Sequence, residues 1–206
     1  MTPMNLASVV NRLRRLCLLP RLFLGCVVLA ACQGTGDQGV QADYPPIVSS
    51  SFGEMRNVSV SDPVWFGGSP CREDLELAKR RGIKRVIDLS SSNEELRCDV
   101  AAICKELEVE YFTASVSAAG QQGDEGVDLV LGWLAPESAV PTLMFDGSGA
   151  RCATFVAIHR AVSFGVPVDE ALTEARRAGM RPGASEDFVR RQIERLTADP
   201  STGKEN

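Results

Sequence analysis

Histidine is almost missing from this 206-residue chain, and His159 is the only one. A metal site built on several imidazoles is thereby excluded, as is any catalytic triad that needs a second ring. No metal and no cofactor is expected. Positive charge is short as well: 22 basic residues face 27 acidic ones, for a net charge of −5. Four of the arginines (Arg12, Arg14, Arg15, Arg21) fall in the first 31 residues, which hold no acid, so the remainder carries 18 basic against 27 acidic residues. Nucleic acid and anionic membrane surfaces both reward a basic face, so neither is expected as the main partner. The apolar run at residues 22–31 is too short to span a bilayer. Internal repeats are absent.

What is present begins with an export signal. A positive region, that apolar run and the small residues closing it occupy residues 1–31, and Leu29-Ala30-Ala31-Cys32 follows the bacterial lipobox pattern. The resemblance to a lipoprotein signal peptide implies cleavage before Cys32 and lipid on its thiol and new N-terminus. The other readings are an ordinary secretory signal with a chance cysteine, or a short membrane anchor. Gln33 stands where an aspartate would argue for retention in the inner membrane. The expected location is therefore the cell envelope, outer membrane before inner, facing the periplasm. Residues 32–51, rich in Gly, Ser, Pro and Gln without apolar periodicity, read as a flexible tether.

From Phe52 the pattern becomes globular, and 44% hydrophobic content supports one domain with a real core. Two short strands are expected at residues 57–60 and 64–66. A helix then starts at a Ser69 cap with Pro70 in its first position and stops at Gly82. Residues 83–89 read as a central parallel strand. Ser92 to Glu95 has the form of a capping box, opening a helix whose apolar stripe is Leu96, Val100, Ile103 and Leu107. A strand at 110–114, a loop at 115–123 and a helix at 124–135 follow. Two further helices are expected at 167–178 and 185–196, and residues 198–206 form a polar tail. Strands alternating with helices predict one α/β domain over residues 52–197. Its mostly parallel sheet has four to five strands, with helices on both faces.

The centre of the chain is Val140 to Val162. It reads as a buried strand (140–145), a turn of Asp146, Gly147, Ser148, Gly149 and Ala150, and a helix starting near Arg151. The glycines admit backbone conformations closed to other residues. Backbone N–H groups, the positive helix end and the Arg151 guanidinium would then converge, which is the composition of an anion cradle. The same order is also the ordinary unit of an α/β domain, with Asp146 or Ser148 simply capping the helix.

Two motifs give this chain a family resemblance. Val64-Trp-Phe-Gly-Gly-Ser-Pro70, followed by Asp74 to Leu89 with its Gly-Ile-Lys-Arg-Val-Ile-Asp-Leu ending, resembles the opening of small bacterial members of the cysteine-dependent tyrosine and dual-specificity phosphatase superfamily. The stretch around Arg151 falls where that family has its phosphate loop. The resemblance covers roughly residues 57–165. It implies a nucleophilic cysteine thiolate at the position of Asp146 and a preceding histidine at Phe145. Arg151 would grip phosphate oxygens, and Gly147, Ser148, Gly149 and Ala150 would line the loop. Between Asp146 and Arg151 the loop is one residue shorter than usual.

An aspartate in the cysteine's place changes the chemistry. A carboxylate is a weak nucleophile toward a phosphate dianion, and its product is an acyl phosphate. Enzymes using that route bring Mg²⁺ and a second acid, which this turn lacks. Asp146 is also expected to pair with the Arg151 side chain, attracting it by roughly 4 kcal/mol at ~4 Å and an effective dielectric of about 20, and to repel an incoming dianion comparably. The family's general acid would come from the loop at 115–124, where Asp124 and Glu125 are the candidates and look like first-turn helix acids. Cys152 offers a displaced nucleophile, but it should sit inside the helix and off the loop's centre.

The expectation is a lipid-anchored, phosphatase-like envelope protein without phosphatase activity, binding or scaffolding a periplasmic protein partner. The alternative is a working tyrosine or dual-specificity type phosphatase, or another phosphoester hydrolase, with an atypical nucleophile. A purely structural role is a third reading. Once the signal and Cys32 are set aside, Cys71, Cys98, Cys104 and Cys152 remain. A Cys71–Cys98 bridge is one expectation, and four small core residues the other. His159 is expected to pack within its helix.

Overall fold

The computed structural model describes residues 46–114, 123–136 and 140–198. The export signal, Cys32, most of the tether and the loop from 115 to 122 lie outside the described residues, as do positions 199–206 of the tail. The elements are β1 (Val48–Ser49), β2 (Ser59–Ser61), β3 (Val64–Gly67), α1 (Arg72–Arg80), β4 (Arg85–Asp88) and α2 (Val100–Glu106). They continue with β5 (Glu110–Thr113), α3 (Asp124–Trp133), β6 (Thr142–Phe145), α4 (Ala150–Phe164), α5 (Val168–Arg177) and α6 (Ala184–Thr197).

The strands form one sheet in the order β1-β2-β3-β6-β4-β5. The pairs β3–β6, β6–β4 and β4–β5 are parallel, and the β1–β2–β3 end is antiparallel. Successive strand side chains point to opposite faces, so each strand feeds two cores. Val86, Leu143 and Phe145 pack with Leu75, Ala78, Val100 and Ile103 of α1 and α2. Phe66, Ile87, Leu89 and Met144 face α3 to α6 on the other side. The helix α4 lies at the middle of that second layer, and its residues from Cys152 to Ala161 are all buried. An α/β domain with helices on both faces is what the alternating pattern requires.

Three expectations need correction. The sheet has six strands, because Val48 and Ser49 leave the expected tether and pair with Val60 and Ser59. The first helix starts later than a Ser69 cap would place it. Cys71 is its N-cap, and the buried Asp74 accepts hydrogen bonds from the Cys71 backbone N–H (2.9 Å) and thiol (3.1 Å) and from the Glu54 N–H (2.6 Å). The second helix begins at Val100 with Asp99 as its cap, whose carboxylate takes the Ala102 N–H at 3.0 Å. The segment from Ser92 to Cys98 is therefore irregular chain, which frees Glu94 for another use. No helix among the described residues is long and apolar enough to cross a membrane.

Candidate functional site

The parallel strands β3, β6 and β4 end side by side at Gly67, Phe145 and Asp88. Crevices at the carboxyl ends of parallel strands are where α/β folds place ligand sites. Here the chain leaves β6 and turns through Asp146 to Gly149 into α4. The turn is packed hard against the end of β3. Gly149 sits at φ +88°, and a Cβ there would come within 3.0 Å of the Gly67 carbonyl carbon and 3.1 Å of its Cα. Only glycine meets both the left-handed backbone and the close approach.

Asp146 is fully buried. Its Oδ1 accepts hydrogen bonds from the Ser148 N–H (2.7 Å), the Gly149 N–H (2.8 Å) and the Ser148 hydroxyl (3.2 Å). Its Oδ2 accepts from the Arg151 and Cys152 N–H groups at 2.9 and 3.0 Å. These amides are the ones the sequence expectation aimed at an anion. The carboxylate is that anion, supplied from within, and it caps α4 in the same act. The capping interpretation of Asp146 holds. Ser148 caps too, its hydroxyl oxygen taking the Ala150 N–H at 3.3 Å.

The expected side-chain pairing of Asp146 with Arg151 gives way to a different arrangement. Among the described residues no ion pair joins that carboxylate to the guanidinium. Arg151 instead pairs with Glu94 and donates to the Leu89 carbonyl at 2.6 Å. Glu94 also accepts the Gly147 N–H at 3.3 Å and the Ser91 N–H at 3.2 Å. The site thus has two levels. Asp146 and four backbone N–H groups make the floor, and Arg151, the Gly147 N–H and Glu94 make the mouth. Asn57 ties the rim down, donating to the Ser148 carbonyl at 3.0 Å. A cavity of about 170 Å³ opens at the mouth, lined by Glu94, Gly147, Ser148, Arg151, Arg181 and Ser185, among others.

No described thiol is poised as a nucleophile. Cys152 is completely buried under the loop, and burial first, then the neighbouring Asp146, pushes its thiol well above the ordinary range. Burial raises the Cys71 and Cys104 thiols to about 11, and raises Cys98 as well. All four are free thiols. The expected Cys71–Cys98 bridge is absent: the Cys71 thiol donates to Asp74 at 3.1 Å and the Cys98 thiol to the Pro70 carbonyl at 3.5 Å.

Asp124 and Glu125 occupy the first turn of α3. Asp124 accepts from Gln192 at 3.0 Å and pairs with Arg195 at 3.4 Å, so it fastens α3 to α6. His159 is buried in α4, with its Nδ1 3.1 Å from the Ser163 hydroxyl. Sequence reasoning missed Glu94, Arg181 and Asp88. Asp88 ends β4 beneath the site, its carboxylate accepting the Tyr111 hydroxyl at 2.8 Å and the Ser90 N–H at 2.7 Å. Among the described residues no cluster of three or more His, Cys, Asp or Glu residues could hold a metal ion.

No protein-family model and no curated protein sequence matches the chain. Solved structures do match it. TpbA from P. aeruginosa is 21% identical and covers 75% of this chain and 98% of its own, with a TM-score of 0.59. Tk-PTP in its active form is 21% identical over 64% of this chain and 91% of its own, with a TM-score of 0.55. The core catalytic domain of the PP-IP phosphatase SIW14 from S. cerevisiae, solved with citrate, is 14% identical over 68% of this chain and 87% of its own, at a TM-score of 0.59. The fold of this chain is that of tyrosine phosphatase-like proteins.

Proposed function

We propose that this protein is a phosphatase fold without phosphatase activity, a lipid-anchored binding module of the cell envelope. The observation that carries the reading is the Asp146 carboxylate, which takes the N–H groups of Ser148, Gly149, Arg151 and Cys152 at 2.7 to 3.0 Å. A nucleophile must be free to attack in line with the leaving group. This carboxylate is buried and spent on capping, and Cys152, the thiol beside it among the described residues, is buried in α4. Arg151, which would clasp phosphate oxygens, is held by Glu94. Solved neighbours with this fold are phosphatases, and a TpbA variant has been solved in complex with pTyr.

The anchoring half of the proposal is supported by the lipobox ending in Cys32 and by the glycine- and serine-rich stretch after it. A lipid at Cys32 and a polar stretch of that kind would hold the domain near a membrane while leaving it free to meet a periplasmic protein. Two measurements test the proposal. Mass spectrometry of the exported protein should find acyl lipid on Cys32, and a Cys32→Ala variant should be soluble. The purified chain should turn over an aryl phosphate no faster than buffer, with or without Mg²⁺. Steady turnover abolished by Arg151→Ala would reinstate a working phosphatase.

A further inference from the structure

We infer that the open edge of β1 and the cavity beside it form a docking site for an extended, carboxylate-bearing segment of a partner protein, which adds to the sheet as a further strand. β1 ends the sheet, so one side of its backbone has no neighbouring strand among the described residues. In an antiparallel ladder, residues alternate between turning their N–H and C=O toward the paired strand and turning them away. Ser50 donates to the Val58 carbonyl at 2.9 Å, and Ser49 stands opposite Ser59. The N–H and C=O of Ser49 therefore point out of the sheet. Pro46, which has no N–H, marks where that edge begins.

Proteins commonly guard a bare edge with charge. The opposite edge, β5, opens on Glu110, which pairs with Arg85 at 3.4 Å. Residues 47–51 carry no charge at all, and the Val48 side chain is left 51% exposed. An added strand would lay a side chain across Val48 and exchange backbone hydrogen bonds with Ser49, which is how sheet edges take up extended peptides.

The cavity decides which segment fits. About 310 Å³ in volume, it is lined by Ser49, Ser50 and Ser51, by Met55 and Val58, and by Arg177 at the end of α5, among others. No aspartate or glutamate lines it. Arg177 is exposed and has no ion-pair partner among the described residues, whereas Arg176 beside it pairs with Glu186. A guanidinium beside serine hydroxyls is a set of donors suited to a carboxylate. A second copy of this chain fits less well, because its own residues 47–51 bring no acid to Arg177. The inference gives the binding module proposed above its face and its partner class, and none of these residues belongs to the loop from Asp146 to Arg151.

The test titrates a fluorescent six-residue peptide with the purified full chain, read by anisotropy and by backbone amide shifts. The peptide alternates valine and threonine around one aspartate, with both ends blocked, and a second peptide has asparagine in its place. The aspartate peptide should bind roughly tenfold tighter than the asparagine one. The shifts should centre on residues 49–51 and 177–179. Arg177→Gln, at an exposed position, should bring the two peptides level. Ser49→Pro removes an outward N–H from an edge strand, where proline is tolerated, and should weaken both peptides. Equal binding of the two peptides by wild type, no binding, or shifts confined to the surroundings of Glu94 and Arg151 would overturn the proposal. So would a dimer that forms without peptide and is broken by Ser49→Pro, which would give the edge to a second copy. Turnover of an aryl phosphate, with the peptide still bound at β1, would instead sink the inactive reading and leave this site standing.

Discussion

Gly149 and Gly67 meet with no room for a side chain between them: a Cβ on the first would lie 3.1 Å from the Cα of the second. The turn before α4 is thereby pinned to the end of β3, whose Gly67 is closed to a side chain for a reason of its own, since a Cβ there would lie 3.0 Å from the Arg56 carbonyl oxygen and 3.1 Å from the Val58 side chain. Gly149→Ala adds both a clash and an unfavourable backbone at φ +88°. It should lower unfolding stability by about 1–3 kcal/mol in a denaturant titration. A variant as stable as wild type would mean the turn can shift away from β3.

Asp146 is a structural residue first. Asp146→Ala removes the acceptor from the buried N–H groups of Gly149 and Cys152 and the half-buried ones of Ser148 and Arg151. Losing a buried charged acceptor of this kind should cost about 3–5 kcal/mol. Asp146→Asn keeps one oxygen and should cost less. Chemical denaturation of the three proteins side by side checks the order. If Asp146→Ala proves neutral, those amides have found water or another acceptor.

His159 makes stability depend on pH. Burial, and then the adjacent Arg160, lower its pKa from 6.5 to about 4. The folded state therefore binds this proton less readily than the unfolded chain. The contribution is fully present above the unfolded value and is lost as pH falls from about 6.5 toward about 4. At one pKa unit per 1.36 kcal/mol the loss approaches roughly 3 kcal/mol. Unfolding midpoints measured between pH 7 and pH 4 should fall less steeply in His159→Gln than in wild type. Parallel slopes would remove the histidine from the account.

The thiols should react in order of exposure and not of catalytic activation. Cys98 is half-buried and Cys71, Cys104 and Cys152 are buried, with every one of the four raised in pKa. Iodoacetamide at neutral pH should label Cys98 first and leave Cys152 untouched until the protein is unfolded. Rapid native labelling of Cys152 would restore it as a candidate nucleophile.

The sequence carried the fold better than the site, for a physical reason. Periodic elements announce themselves over many residues, so β4, β6 and the helices from α3 onward stand close to where their apolar spacing placed them. The two-residue strand at Val48 and Ser49 has no period to detect, and its pairing with Val60 and Ser59 is a tertiary event. Ser92 to Glu95 shows how a local pattern misleads. Serine followed by an acid three residues later suits a helix start, yet in the fold Glu94 accepts the Ser91 N–H in a turn and spends its other oxygen on Arg151. Asp146 was visible as an acid among glycines. Its partners were not, because which donor a carboxylate finds depends on how the turn closes.

A ring of amides built for an outside anion is incomplete until that anion arrives, and its order depends on supply. This loop brings its own filler on the same stretch of chain, five residues or fewer from most of the donors it satisfies. Its shape does not wait on phosphate or sulfate from the surroundings. In the envelope setting proposed above, the floor of the loop would thus keep one form whatever salts surround the domain.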